Sequence, residues 1–158
     1  TGVQTCALPI YPGAGAGKPR WPAERFESIA ARLVHNFNAR VLLFSGPGER
    51  GLAKRIAAGL PAKKGLPVDT PRAADWVSIC ARLSLFLGHA GGPAHLASAA
   101  GAPVLALSTA MEFSPKELLG PRTETLRAPH IQLISEETVY EAASKLLQIN
   151  RAEALRTR

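Results

Sequence analysis

Two cysteines in 158 residues are too few for a disulfide framework, which excludes a small stapled secreted scaffold. Their scarcity suggests a reducing compartment. There is no Cys-x-x-Cys pair and no metal-ligand spacing among the four histidines, so no metal site is expected. Aromatic residues make up only 6% and do not interleave with the basic ones, which argues against a stacking platform for single-stranded nucleic acid. No apolar run approaches the roughly 20 residues of a membrane-spanning helix. No basic stretch followed by a long apolar one opens the chain, so no signal peptide is read. Acidic residues are also in short supply, 12 against 19 Lys and Arg, leaving a net charge of +7. That balance suits anionic partners, although the cations are scattered rather than gathered into one run.

What remains is ordinary for one globular domain: 46% hydrophobic and 20% charged residues, with length enough for a real core. Residues 1–10 resemble the in-frame translation of a sequencing-library adapter. On that reading they are a cloning or assembly scar, set aside from the fold, and Cys6 is accidental. The other reading makes residues 7–11 a genuine strand. After Pro22, a helix-opening residue, Phe26, Ile29, Ala30, Leu33, Val34 and Phe37 repeat as one apolar face of a helix. Residues 41–44 read as a buried strand. A helix follows, with Leu52, Ala53, Ile56 and Leu60 inward, then a short strand near Val68. Asp69 or Thr70 is expected to cap a helix with Trp76, Val77, Cys80 and Leu83 on its inner face, where Cys80 is core packing. Strands are expected over residues 83–87 and 104–107, with a small-residue helix from Ala94 to Ala100 between them. After a long loop from Ser108 to Arg122, further strands are expected at 125–127 and 131–134. Ser135 caps a last helix, and a charged tail over 150–158 frays. Helices alternating with apolar strands define an α/β domain over residues 11–149, Rossmann-like, with a mostly parallel sheet and helices on both faces.

Three glycine turns follow strands in this scheme, at Gly13, Gly46 and Gly91, and each enters a helix. Right-handed crossovers place all three on one sheet edge, outlining a single crevice for an anion. The first, residues 12–20, carries Gly13, Ala14, Gly15, Gly17, Lys18 and Arg20. It is not a Walker loop, because Pro12 and Pro19 stand where that pattern needs a glycine and a hydroxyl. It is not a dinucleotide fingerprint either, since Lys18 and Arg20 occupy the third glycine's place. Backbone donors and two cations still suit a phosphate. The third turn, Gly88-His89-Ala90-Gly91-Gly92-Pro93-Ala94-His95, breaks a strand at Gly88 and leaves free N–H groups at a helix N-terminus.

These residues resemble the C-terminal domain of glycosyltransferase family 9, the lipopolysaccharide heptosyltransferases and their relatives. Pro12-Gly13-Ala14-Gly15 with Lys18 and Trp21-Pro22 is similar to the family's PGAG…K-x-WP block. Gly46 to Glu49 is similar to its glycine turn ending in an acid, and Gly88 to Ala97 to its G-x-D-[ST]-G-x-x-H-L-A signature. The resemblance implies the C-terminal half of a two-domain GT-B enzyme. That half binds the donor, ADP-heptose or another nucleotide diphosphate sugar, without metal or further cofactor. Acceptor contacts and the catalytic base then belong to an N-terminal domain, so no catalytic residue is assigned in this chain. The chain alone is expected to bind and not turn over. By position, Lys18 or Arg20 pairs with donor phosphate, Glu49 accepts from the ribose, Gly91, Gly92 and Pro93 hold the diphosphate, and His95 lines the site. Ala90 stands where the signature has its acidic residue. That leaves a second reading open, a degenerate nucleotide-binding or interaction module. The implied setting is cytoplasmic, peripheral on the inner face of the inner membrane, with a glycolipid acceptor and no nucleic acid.

Overall fold

A computed structural model describes residues 6–15, 17–69, 72–109, 120 and 122–157. Six strands, β1 (Ala7–Tyr11), β2 (Arg40–Ser45), β3 (Gly65–Asp69), β4 (Phe86–His89), β5 (Val104–Thr109) and β6 (Thr123–Ala128), form one sheet in the order β3-β2-β1-β4-β5-β6. Every pairing is parallel. The chain builds outward from β1 to β3, then crosses back to β4 and builds the other way. The reversal of strand order therefore falls between β1 and β4.

Period-2 alternation divides each strand between two faces. Leu8, Ile10, Val41, Leu43, Leu85, Leu87, Leu105 and Leu107 pack beneath helices α1 (Ala23–Phe37), α2 (Arg50–Ala58) and α5 (Glu136–Arg156). Phe44, Phe86, Val104 and Ala106 pack on the other face, against α3 (Ala73–Cys80) and α4 (Gly92–Ala99). A sheet covered on both sides needs strands that are apolar at successive positions, which is how β2, β4 and β5 read. All six apolar positions assigned to α1 are buried. Ser135 caps α5 by accepting from the Thr138 N–H at 3.1 Å.

The segment set aside from the fold supplies the sheet's central strand. Leu8 and Ile10 are fully buried, and β1 pairs with both β2 and β4. Pro9 is tolerated there for a geometric reason. The Cys6 carbonyl accepts from Arg40 on the β2 side and the Ala7 carbonyl from Ser84 on the β4 side. Pro9, two residues on from Ala7, therefore turns its nitrogen toward β4, where the ladder starts only at Ile10.

Several local expectations are corrected. Residues 131–134 were expected as a strand, but Ile131–Leu133 is a 3₁₀ turn that buries Ile131. Strand β4 runs on through Gly88 to His89 instead of breaking. Gly88 is a close-approach glycine, since a Cβ there would sit 3.0 Å from the Tyr11 carbonyl and 3.1 Å from the Phe86 ring. Asp69 ends β3 and pairs with Arg50 at 2.9 Å, leaving Arg72 at the start of α3; Thr70 lies outside the described residues. Val77 faces outward. The expected irregular tail is instead helical, since α5 continues to Arg156. Arg151 donates to the Phe37 carbonyl at 2.7 Å, and Arg122 reaches Asn150 and Glu153. Most of the 108–122 loop lies outside the described residues.

Candidate functional site

Because the sheet is parallel, the loops after β1, β2 and β4 emerge from neighbouring strands at one edge, as the three glycine turns require. The β2–α2 turn is self-bonded: the Glu49 N–H donates to the Gly46 carbonyl at 3.1 Å, and the Gly46 N–H donates to Glu49 Oε2 at 3.2 Å. The returning carboxylate lies directly over Gly13. A Cβ at Gly13 would fall 2.0 Å from Glu49 Oε2, so glycine there leaves room for the carboxylate in this position and is not used for backbone freedom.

The β1–α1 loop begins buried at Pro12 and Gly13 and becomes exposed over residues 17–20. Gly15 (φ 85°) and Gly17 (φ 74°) take left-handed conformations that other residues adopt only with strain. The loop's far end is tied down by Trp21, which is fully buried. Its indole N–H donates to the Ile134 carbonyl at 2.8 Å, its ring meets Phe26 edge-on at 4.9 Å, and Arg25 donates to the same carbonyl at 2.9 Å. Between these anchors Lys18 and Arg20 are exposed and make no ion pair with any described residue. Tyr11, Gly15, Lys18, Arg20, Gly46, Gly48 and Glu49 are among the residues that line one open cleft of about 940 Å³. Two cations without an ion pair among the described residues, and a carboxylate, all line this cleft and can hold a ligand that carries both anionic groups and hydroxyl donors.

The β4–α4 turn stands one strand over and does not line that cleft. The Ala90 N–H donates to the Leu107 carbonyl at 2.8 Å, and the Trp76 indole donates to the Pro93 carbonyl at 3.2 Å, which fixes the turn from both sides. Nothing lies within 4 Å of where a Cβ would stand at Gly91 or Gly92. Among the described residues, packing therefore does not demand these glycines, and none of those residues covers the start of α4 at Gly91 and Gly92. His95 sits half-buried in the first turn of α4, its N–H bonded to the Gly91 carbonyl at 3.0 Å. Ala14 is half-buried beside Gly13, and Ala16 lies outside the described residues.

One residue of this region was missed. His89 is buried, and it accepts from the Trp21 N–H through Nε2 at 2.8 Å while Nδ1 lies 3.0 Å from the Gly13 carbonyl. The available signal was a polar residue ending an otherwise apolar strand beside a glycine turn. Cys80, by contrast, is no nucleophile: burial pushes its thiol up to about 12. Among the described residues no three His, Cys, Asp or Glu side chains converge as a metal site, and no helix is long and apolar enough to cross a membrane.

A parallel sheet covered by helices on both faces, with a cation-bearing cleft at the carboxyl ends of β1 and β2, belongs to the Rossmann-like α/β class. The family model for glycosyltransferase family 9 (heptosyltransferase) matches residues 3–142, and the chain belongs to that family. Among solved structures it is similar to E. coli ADP-heptose LPS heptosyltransferase II, with TM-score 0.78, 20% identity, and 93% of this chain covered. A family 9 glycosyltransferase from Veillonella parvula gives TM-score 0.79, 20% identity and 91% coverage. E. coli heptosyltransferase WaaC with ADP-2-deoxy-2-fluoro heptose gives TM-score 0.68, 18% identity and 92% coverage. The chain spans just under half of each of these structures, 48%, 47% and 44%. No curated protein sequence matches it.

Proposed function

We propose that this chain is the donor-binding half of a glycosyltransferase that moves a heptose-like sugar from a nucleotide diphosphate to a lipopolysaccharide core or similar acceptor. The observation that carries the reading is that Lys18, Arg20 and Glu49 line one cleft at the carboxyl ends of β1 and β2. Lys18 and Arg20 bind the diphosphate, and Glu49 accepts from a ribose hydroxyl. By position, the N–H groups at Gly91 and Gly92, with Pro93 and His95, are assigned to the diphosphate from the neighbouring turn, outside that cleft. Charge that grows on the leaving diphosphate is stabilised by these fixed cations and backbone dipoles, which need no reorganisation as the bond breaks. Family membership and the ADP-sugar of a similar structure support the donor class. Acceptor contacts and the base are assigned to an N-terminal domain working at the cytoplasmic face of the inner membrane.

Calorimetric titration of ADP tests this. Lys18→Ala and Glu49→Ala each remove a charge-assisted bond and are expected to weaken ADP roughly tenfold or more. Unchanged affinity in both variants sinks the assignment. Ala90 supplies no side-chain acceptor, so ADP binding combined with failure of the full-length enzyme to transfer sugar would favour the binding-module reading.

A further inference from the structure

The two halves of this site sit on different loops, one after β1 and one after β4, and no backbone ladder joins those loops beyond Tyr11 and Gly88. We propose that His89 is a positioning residue that joins them and sets where Lys18 and Arg20 stand. The proposal rests on the nucleotide site described above.

Two backbone partners among the described residues set the ring's tautomer. The Trp21 N–H can only donate, so Nε2 presents a lone pair; the Gly13 carbonyl can only accept, so Nδ1 carries the proton. One neutral imidazole thus grips the cation-bearing loop at Gly13 and at Trp21, eight residues apart in sequence. The same residue immediately precedes the Ala90-Gly91-Gly92 turn, so a shift of β4 is passed to the loop through two hydrogen bonds. The ring is held in place by burial and by an edge contact with Phe26 at 5.5 Å. Lys18 and Arg20 make no ion pair of their own among the described residues. Their position therefore depends on how the loop ends are held.

The test compares the chain with His89→Phe, which keeps ring volume and the Phe26 contact but loses both nitrogens. His89→Gln restores one donor and one acceptor on a flexible stem. Nitrogen NMR of the wild-type ring should show the neutral Nδ1–H tautomer at pH 7.5; an Nε2–H tautomer or a doubly protonated ring overturns the assignment. Amide exchange at Trp21 should be about tenfold faster in His89→Phe, the loss of one net hydrogen bond, and less so in His89→Gln, while Leu105 and Leu107 in β5 are unchanged. ADP affinity should fall about tenfold in His89→Phe while adenosine affinity changes less than twofold. Unchanged exchange at Trp21, or equal loss for ADP and adenosine, overturns the positioning role. Absence of ADP binding in the wild type overturns the functional reading alone, and the exchange measurement still decides the clamp. If His89→Phe fails to fold, the tautomer and the His89→Gln exchange data decide it.

Discussion

Replacing Gly13 by alanine separates the fold from the site. Gly13 is not in the left-handed region, so its backbone accepts alanine without strain. The new methyl would stand 2.0 Å from Glu49 Oε2 and 2.2 Å from its Cδ, and the carboxylate must move. It is the far end of a flexible side chain, so the move costs the fold little more than the 3.2 Å bond from the Gly46 N–H, about 1 kcal/mol. For a bound nucleotide the cost is larger. A displaced carboxylate forfeits a charge-assisted bond to the ribose, about 1.5–3 kcal/mol, or about 10- to 150-fold in Kd. The assay is ADP titration paired with urea denaturation, run on Gly13→Ala, Glu49→Ala and the double variant. Expected are a small stability change, matching affinity losses in the two single variants, and no further loss in the double variant, where no carboxylate remains to be displaced. Wild-type affinity in Gly13→Ala would refute the reasoning. Fully additive losses would also refute it, by showing that the methyl acts on something other than Glu49.

Deleting residues 1–10 removes Leu8 and Ile10 from the core, about 1.5–3 kcal/mol each, and opens the ladders of β2 and β4 to water. Against a typical total stability of about 5–15 kcal/mol, the truncated chain should lose cooperative thermal unfolding by circular dichroism. A sharp native-like transition would refute the central place of β1. Cys80 should resist thiol reagents at pH 8 in the native chain. An unfolded thiol ionises from 9.0 upward and the buried one only near about 12, so between these values the unfolded state holds fewer protons. Stability attributable to Cys80 is intact below that window and should fall by about 1.4 kcal/mol per pH unit within it; a slope unchanged in Cys80→Ala would contradict this.

The α/β alternation, the buried face of α1 and the Ser135 cap were readable because each rests on neighbours three or four residues apart. Lys18, Arg20, Gly46 and Glu49 were readable as anion-site candidates because glycine turns at strand ends carry a local signature, and the parallel sheet brings them to one cleft. Other features were illegible for physical reasons. Residues 131–134 are apolar enough for a strand, but Trp21 and Arg25 claim the Ile134 carbonyl, and the segment closes as a turn. The charged end of α5 looks like a solvated tail until Arg151 finds the Phe37 carbonyl and Arg122 finds Glu153.

By itself the sequence determined the kind of sheet, the order of its helices and the glycine turns that follow its strands, since periodicity and glycine chemistry act over a few residues. Tertiary structure decided three further things. It made residues 7–11 the centre of the sheet, because burial between β2 and β4 depends on partners more than thirty residues away. It set Glu49 over Gly13, a packing relation between two loops. It turned His89 from one letter of a glycine turn into the link between Gly13 and Trp21, since a hydrogen bond across 68 residues leaves no trace in local sequence.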